Sequence, residues 1–132
     1  MDGQELQKVA NASALELPDV TFEHRVGPNW EVYKVHGKVF MLMTDMPGHP
    51  VVILKADPNE AVSLREQYAE ITAGYHMDKK HWITAEGGTS LDEDLVRQLV
   101  TDSYRLVVAR LPRSLKPVIP AHGPSPETRN TD

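Results

Sequence analysis

The chain contains no cysteine. That absence removes disulfide scaffolds, thiolate metal sites, iron–sulfur ligation and cysteine nucleophiles together, and it fits a reducing compartment. Long apolar runs are also missing, since no stretch approaches the roughly 18 apolar residues of a membrane helix. The opening MDGQELQKVANASALEL lacks the basic start and continuous apolar core of a signal peptide, so the expected setting is cytoplasmic, with no membrane partner. Basic charge is in deficit: 14 Lys+Arg stand against 19 Asp+Glu, a net charge of −5. This is the wrong sign for a domain whose whole surface grips nucleic acid. No serine sits in a glycine-flanked nucleophile elbow, and no internal repeat, helix-turn-helix or zinc-finger pattern is present.

What is present suits one ordinary domain. The 132 residues, 40% of them hydrophobic, can bury about two-thirds of the surface exposed on unfolding, enough for a core without a metal or disulfide staple. Asp2 and Glu5 stand at capping-box spacing, and Leu6, Val9, Ala10, Ala14 and Leu17 recur at helical intervals, predicting a helix over 3–16 that Pro18 stops. After an irregular stretch through Gly27 and Pro28, strands are predicted over Trp30–Val35 and Lys38–Met43, joined by His36-Gly37 as a primed hairpin turn. A loop over Asp45–Pro50 leads to an apolar strand, Val51–Lys55. Asp57, Pro58 and Glu60 form a complete helix start for a helix over 58–69, with Ala61, Leu64 and Tyr68 inward. The segment Ile71–Lys80 has neither periodicity. His81–Ala85 is a short strand, and Ser90 with Glu93 predicts the start of a long helix over 91–110, ended by Pro112. Residues 1–116 are expected to form the single domain, and the proline-rich 117–132 a mobile tail. The predicted order is α-β-β-β-α-β-α, an α+β fold with helices on one face of an antiparallel sheet.

Charge is unevenly spread. Residues 1–32 carry two basic and six acidic side chains, whereas residues 97–119 carry Arg97, Arg105, Arg110, Arg113 and Lys116 against Asp102 alone. An anionic partner should therefore meet the second half.

Three ordered strings carry a family resemblance: Leu54-Lys55-Ala56-Asp57-Pro58, then Gly74-Tyr75-His76-Met77-Asp78-Lys79-Lys80-His81-Trp82-Ile83-Thr84, then Ser103 through Pro112. Together they make residues 3–116 similar to the MmcQ/YjbR family. The resemblance implies an α+β fold of the frataxin-like, CyaY-like type, an association with DNA binding, and no established reaction. In this chain Asp78 stands where the family commonly has Asn, and Lys80 where it has Arg. The first change adds a repelling charge beside the cations, and the second removes a bidentate phosphate fork.

Catalytic and metal chemistry find little support in the residues. His76, Asp78 and His81 lie close in sequence, but His-x-x-x-x-His off a helix fixes no ligand face, and no spacing selects His36, His49 or Glu86 as a remote ligand. The first helix offers only Asp2, Glu5 and Glu16, short of the acidic ridge associated with iron in frataxin-like folds. Met41 and Met43 share one strand face and, with Met46, read as core rather than as a soft-metal site. The expectation is a non-enzymatic binding protein without metal or cofactor. Its leading candidate partner is DNA, held weakly and without sequence preference by Lys79, Lys80, His81 and His76 of the loop, Lys34 and Lys38 of the hairpin, and Arg105 and Arg110 of the last helix. The alternative is a small anionic molecule or a protein, seated beside the 74–82 loop against Trp30, Tyr75 and Trp82.

Overall fold

The structure is a computed structural model that describes residues 1–25, 29–46, 48–75 and 77–118. Its elements run α1 (Gly3–Leu15), β1 (Val20–Arg25), β2 (Trp30–Val35), β3 (Lys38–Met46), β4 (His49–Lys55), α2 (Pro58–Gln67), β5 (Ile71–Ala73), β6 (Trp82–Glu86) and α3 (Glu93–Val108), with a 3-10 turn at Arg113–Leu115. The six strands form one antiparallel sheet in the order β1-β2-β3-β4-β6-β5. The α+β fold class expected from sequence is the one found, with two strands added. Both additions are edges of the sheet. β1 keeps Thr21, Phe22, Glu23 and His24 exposed, so it carries too little buried apolar patterning to be read from sequence. β5 is only three residues long and is defined by its pairing to β6.

Local chemistry explains where the elements start. Asp2 caps α1 by accepting from the Glu5 N–H at 2.8 Å, and Asp57 caps α2 through the N–H groups of Asn59 (3.1 Å) and Glu60 (3.4 Å). At α3 the expectation fails by two residues. Asp92, not Ser90, is the cap, accepting from Leu95 N–H at 2.8 Å, while Ser90 is held through its N–H and hydroxyl by the Glu70 carboxylate. The β2–β3 turn has φ of 47° at His36 and 79° at Gly37, the two positive values a type I′ turn needs. β3 and β4 pair through Asp45↔Pro50 and Met46↔His49, so most of the expected loop is ladder.

Helices α1 and α3 cover one face of the sheet. Leu6, Ala10, Tyr33, Val35, Val52, Leu54, Ile83, Val100 and Tyr104 share the main core there. Met41 and Met43 point into it as their parity predicts. A bulge opposite Tyr33 and Lys34 inserts Phe40, so Phe40 and Met41, although consecutive, are both fully buried. Phe40 meets Tyr104 edge to face at 5.4 Å, and the Tyr104 hydroxyl donates to the Pro18 carbonyl at 2.6 Å. Burial of that phenol, with the Asp19 charge adding to it, pushes its pKa up to about 12.

The β3–β4 ladder stops at Met41↔Leu54. One step on, Ser103 of α3 takes over: its hydroxyl accepts from the Lys55 N–H at 2.8 Å and donates to the Phe40 carbonyl at 2.5 Å. Ser103→Ala would leave both backbone groups without that partner beside the core, and is expected to cost about 1–3 kcal/mol. Trp82→Ala, which removes a side chain only 9% exposed, is expected to cost about 3–5 kcal/mol, and Lys79→Ala on the exposed loop under about 0.5 kcal/mol. Urea denaturation of the three variants checks the order.

Candidate anion-binding end of the sheet

One end of the sheet gathers the start of β3, the end of β4, the loop before β6 and the C-terminus of α3. The backbone places them there: Lys55 pairs with Trp82, the Ala56 N–H donates to the His81 carbonyl at 2.9 Å, and Ser103 ties α3 to both β3 and β4. Two cavities open at this end. One, of about 320 Å³, is lined by Lys38, Val39, Lys55, Val107, Arg110 and Leu111. The other, of about 340 Å³, lies between α2 and α3 and includes Lys55, Arg105, Asp57, Glu60 and Asp102. Lys55 borders both.

The eight residues predicted to contact anions divide accordingly. Lys38 and Arg110 both line the first cavity, which has no carboxylate among its described lining residues. Arg105 lies at the second, where three carboxylates offset its charge. Lys79 and Lys80 are exposed on the loop and line neither cavity. Lys34 is taken by Glu23 at 3.1 Å, which weakens its claim as an anion contact. His81 is exposed and sits 2.8 Å from Asp78 through Nδ1. His76 lies outside the described residues.

Lys55 is the cation that sequence reasoning passed over. Its Nζ sits 5.7 Å from the Trp82 ring centroid, a cation–π contact, and it forms no ion pair among the described residues. The available signal was its place as the single charged residue ending the apolar run Val51-Val52-Ile53-Leu54 before the Asp57 cap.

Trp30, Tyr75 and Trp82 also come together, on the face of the sheet away from α1 and α3. Trp30 and Tyr75 stack at 6.3 Å with planes 21° apart, and both pack against the cluster of Val51, Ile53 and Trp82, with Met77 beside them. The segment can lie this close because residue 74 is glycine: a Cβ there would stand 2.5 Å from Trp82 Cβ. Thr84 secures it further, its hydroxyl accepting from the Tyr75 N–H (2.8 Å) and donating to the Ala73 carbonyl (3.0 Å).

Asp78 organises the loop rather than merely opposing its cations. One carboxylate oxygen accepts from the Lys80 N–H at 2.8 Å and the other meets His81 Nδ1, while the Asp78 carbonyl accepts from the N–H groups of His81 (3.3 Å) and Trp82 (3.1 Å). No group of three or more His, Asp or Glu among the described residues is placed to hold a metal.

The fold is that of a small α+β domain built on one antiparallel sheet. The YjbR family model matches residues 15–106, and the chain belongs to the YjbR family. It is 44% identical over 108 residues to the uncharacterised protein YbdF of Escherichia coli O157:H7, covering 82% of this chain and 88% of that one. It is 29% identical over 99 residues to the uncharacterised protein YjbR of Escherichia coli K12, covering 74% and 84%. Among solved structures, protein DR2400 of Deinococcus radiodurans superposes with a TM-score of 0.71 at 24% identity, covering 87% of this chain and 85% of that one. A Pseudomonas syringae protein superposes at 0.65 with 26% identity, covering 76% and 96%.

The hydrogen bonds to Asp78, the His81 ring first and the Lys80 N–H second, hold its carboxyl below the ordinary carboxylate range. A lowered folded-state pKa means that the loop order it supplies is present above the unfolded value and is lost as pH falls through the folded one. The Lys80 amide resonance should therefore titrate on the acid side of an ordinary aspartate. Asp78→Asn should keep the Lys80 resonance in place, because the amide oxygen still accepts, whereas Asp78→Ala should shift it at every pH.

Proposed function

We propose that this protein is a non-enzymatic binding module whose cationic end contacts the phosphate backbone of DNA, weakly and without reading sequence. The observation that carries the reading is the cavity edged by Lys38, Lys55 and Arg110, with no carboxylate among its described lining residues, together with the exposed Lys79 and Lys80 on a loop bonded to the same strand end. Two other basic side chains are taken by carboxylates: Lys34 meets Glu23, and Arg97 meets Glu93 and Glu16. Net charge of −5 then confines attraction to one end and makes it steeply dependent on salt. Among the described residues no helix is aimed at a groove by a second helix, so phosphate contact without base readout is the mode that fits. Among the described residues no helix is long and apolar enough to cross a membrane.

Fluorescence anisotropy with duplexes of different sequence tests this. Five phosphate contacts would give a slope of log K against log salt of about −4.5, and Lys79→Ala with Lys80→Ala should flatten it by about 2 units, equally for every duplex. An unaltered slope in that variant, or no binding by the unmodified protein at low salt, overturns the reading.

A further inference from the structure

The cavity of about 320 Å³ has a composition that DNA contact does not require. Three basic residues from three elements line it: Lys38 at the start of β3, Lys55 at the end of β4, whose ammonium rests over the Trp82 ring and can swing from there, and Arg110 just beyond α3. None of the three has an ion pair among the described residues. Its remaining walls are Val39, Val107 and Leu111, the last two nearly buried at 4% and 6% exposure. A backbone phosphodiester would use the charge and leave the apolar wall unused.

We propose that this cavity is a binding site for a small organic phosphate monoester, its phosphate among Lys38, Lys55 and Arg110 and a short apolar group against Val39, Val107 and Leu111. Three donors approaching from separate elements suit an oxyanion with oxygens on several sides better than a planar carboxylate with two, and a dianion answers three positive charges more fully than a monoanion. The volume lies at the lower limit of ligand pockets, about 300–1,000 Å³, which selects a compact molecule over a dinucleotide. The framework is pre-set: the Ser103 hydroxyl fixes the Lys55 backbone, and the Arg105, Val107 and Val108 carbonyls accept from the N–H groups of residues 109–111. The negative end of the α3 dipole is thereby partly satisfied within the chain instead of facing an anion. The site stands whether or not the wider surface meets DNA.

Phenyl phosphate serves as the probe, with inorganic phosphate compared at constant ionic strength in amide-detected NMR titrations of the full chain. Saturable shifts are expected at Val39, Lys55, Val107 and Leu111 and at the Trp82 indole, which reports on the Lys55 ammonium. Phenyl phosphate should bind at least about fivefold more tightly than inorganic phosphate, the gain one small apolar group supplies on burial. Arg110→Gln alone should weaken it about tenfold and Lys55→Gln with Arg110→Gln should abolish it, each spectrum confirming the fold, while Lys8→Gln on α1 should leave it unchanged. Equal affinity for the two phosphates, shifts centred elsewhere, or undiminished binding by folded Arg110→Gln overturns the proposal. Duplex binding measured on the same samples separates the two readings: phenyl phosphate bound without DNA sinks only the DNA reading, and DNA bound without phenyl phosphate sinks only this one.

Discussion

The hydroxyl of Ser103 accepts from the Lys55 N–H and donates to the Phe40 carbonyl, standing where the β3–β4 ladder would have closed its next rung. A side chain of the long helix thus completes the sheet. The bulge makes this possible by turning Phe40 inward beside Met41, and Phe40 in turn packs on Tyr104, one residue along α3 from Ser103. Tyr104 reaches Pro18 and so ties the same helix to the end of α1. A fully buried hydroxyl with both of its bonds made is worth keeping because leaving its two backbone partners unpaired costs more than the pair of bonds contributes. The consequence lies at the surface. The contact that locks α3 to β3 and β4 also brings Lys38, Lys55 and Arg110 to the rim of one cavity.

Parts of this were legible in the sequence because they depend on short-range chemistry. Asp2 and Asp57 cap the helices that their spacing predicts, His36-Gly37 turns with two positive φ angles, and Met41 and Met43 share the core face. The remainder depends on partners distant in the chain. β1 and β5 carry weak patterns because edge pairing, not burial, defines them. Ser90 looked like a cap, but the Glu70 carboxylate, twenty residues away, claims it and leaves the capping to Asp92. Asp78 read as a repelling charge, and its role in the loop emerges only once Lys80 and His81 fold back on it. Of the residues named from sequence, Lys38 and Arg110 line one cavity and Lys34 is paired with Glu23, whereas Lys55, which lines the same cavity, carried no local signal beyond its place at the end of an apolar strand.

The electrostatic pattern follows from the same packing. Five more carboxylates than basic groups surround the cations with acidic charge, and Arg97 meets both Glu16 and Glu93. The cavity between α2 and α3 keeps that mixture around Arg105. Across Lys55, where the end of β4 meets the bulged end of β3, the described residues lining the neighbouring cavity include no carboxylate. A locally cationic end on an acidic domain favours ligands small enough, or contacts few enough, to avoid the rest of the surface.

All of this requires that the Lys55 amide be held by a side chain rather than by a strand. Hydrogen exchange measured residue by residue tests it directly. In the unmodified protein the Lys55 amide should be protected to within about tenfold of the Ile53 amide in the same strand, and in Ser103→Ala its protection should fall by more than about tenfold relative to Ile53. An unprotected Lys55 amide in the unmodified protein, or protection that survives Ser103→Ala, would contradict the account.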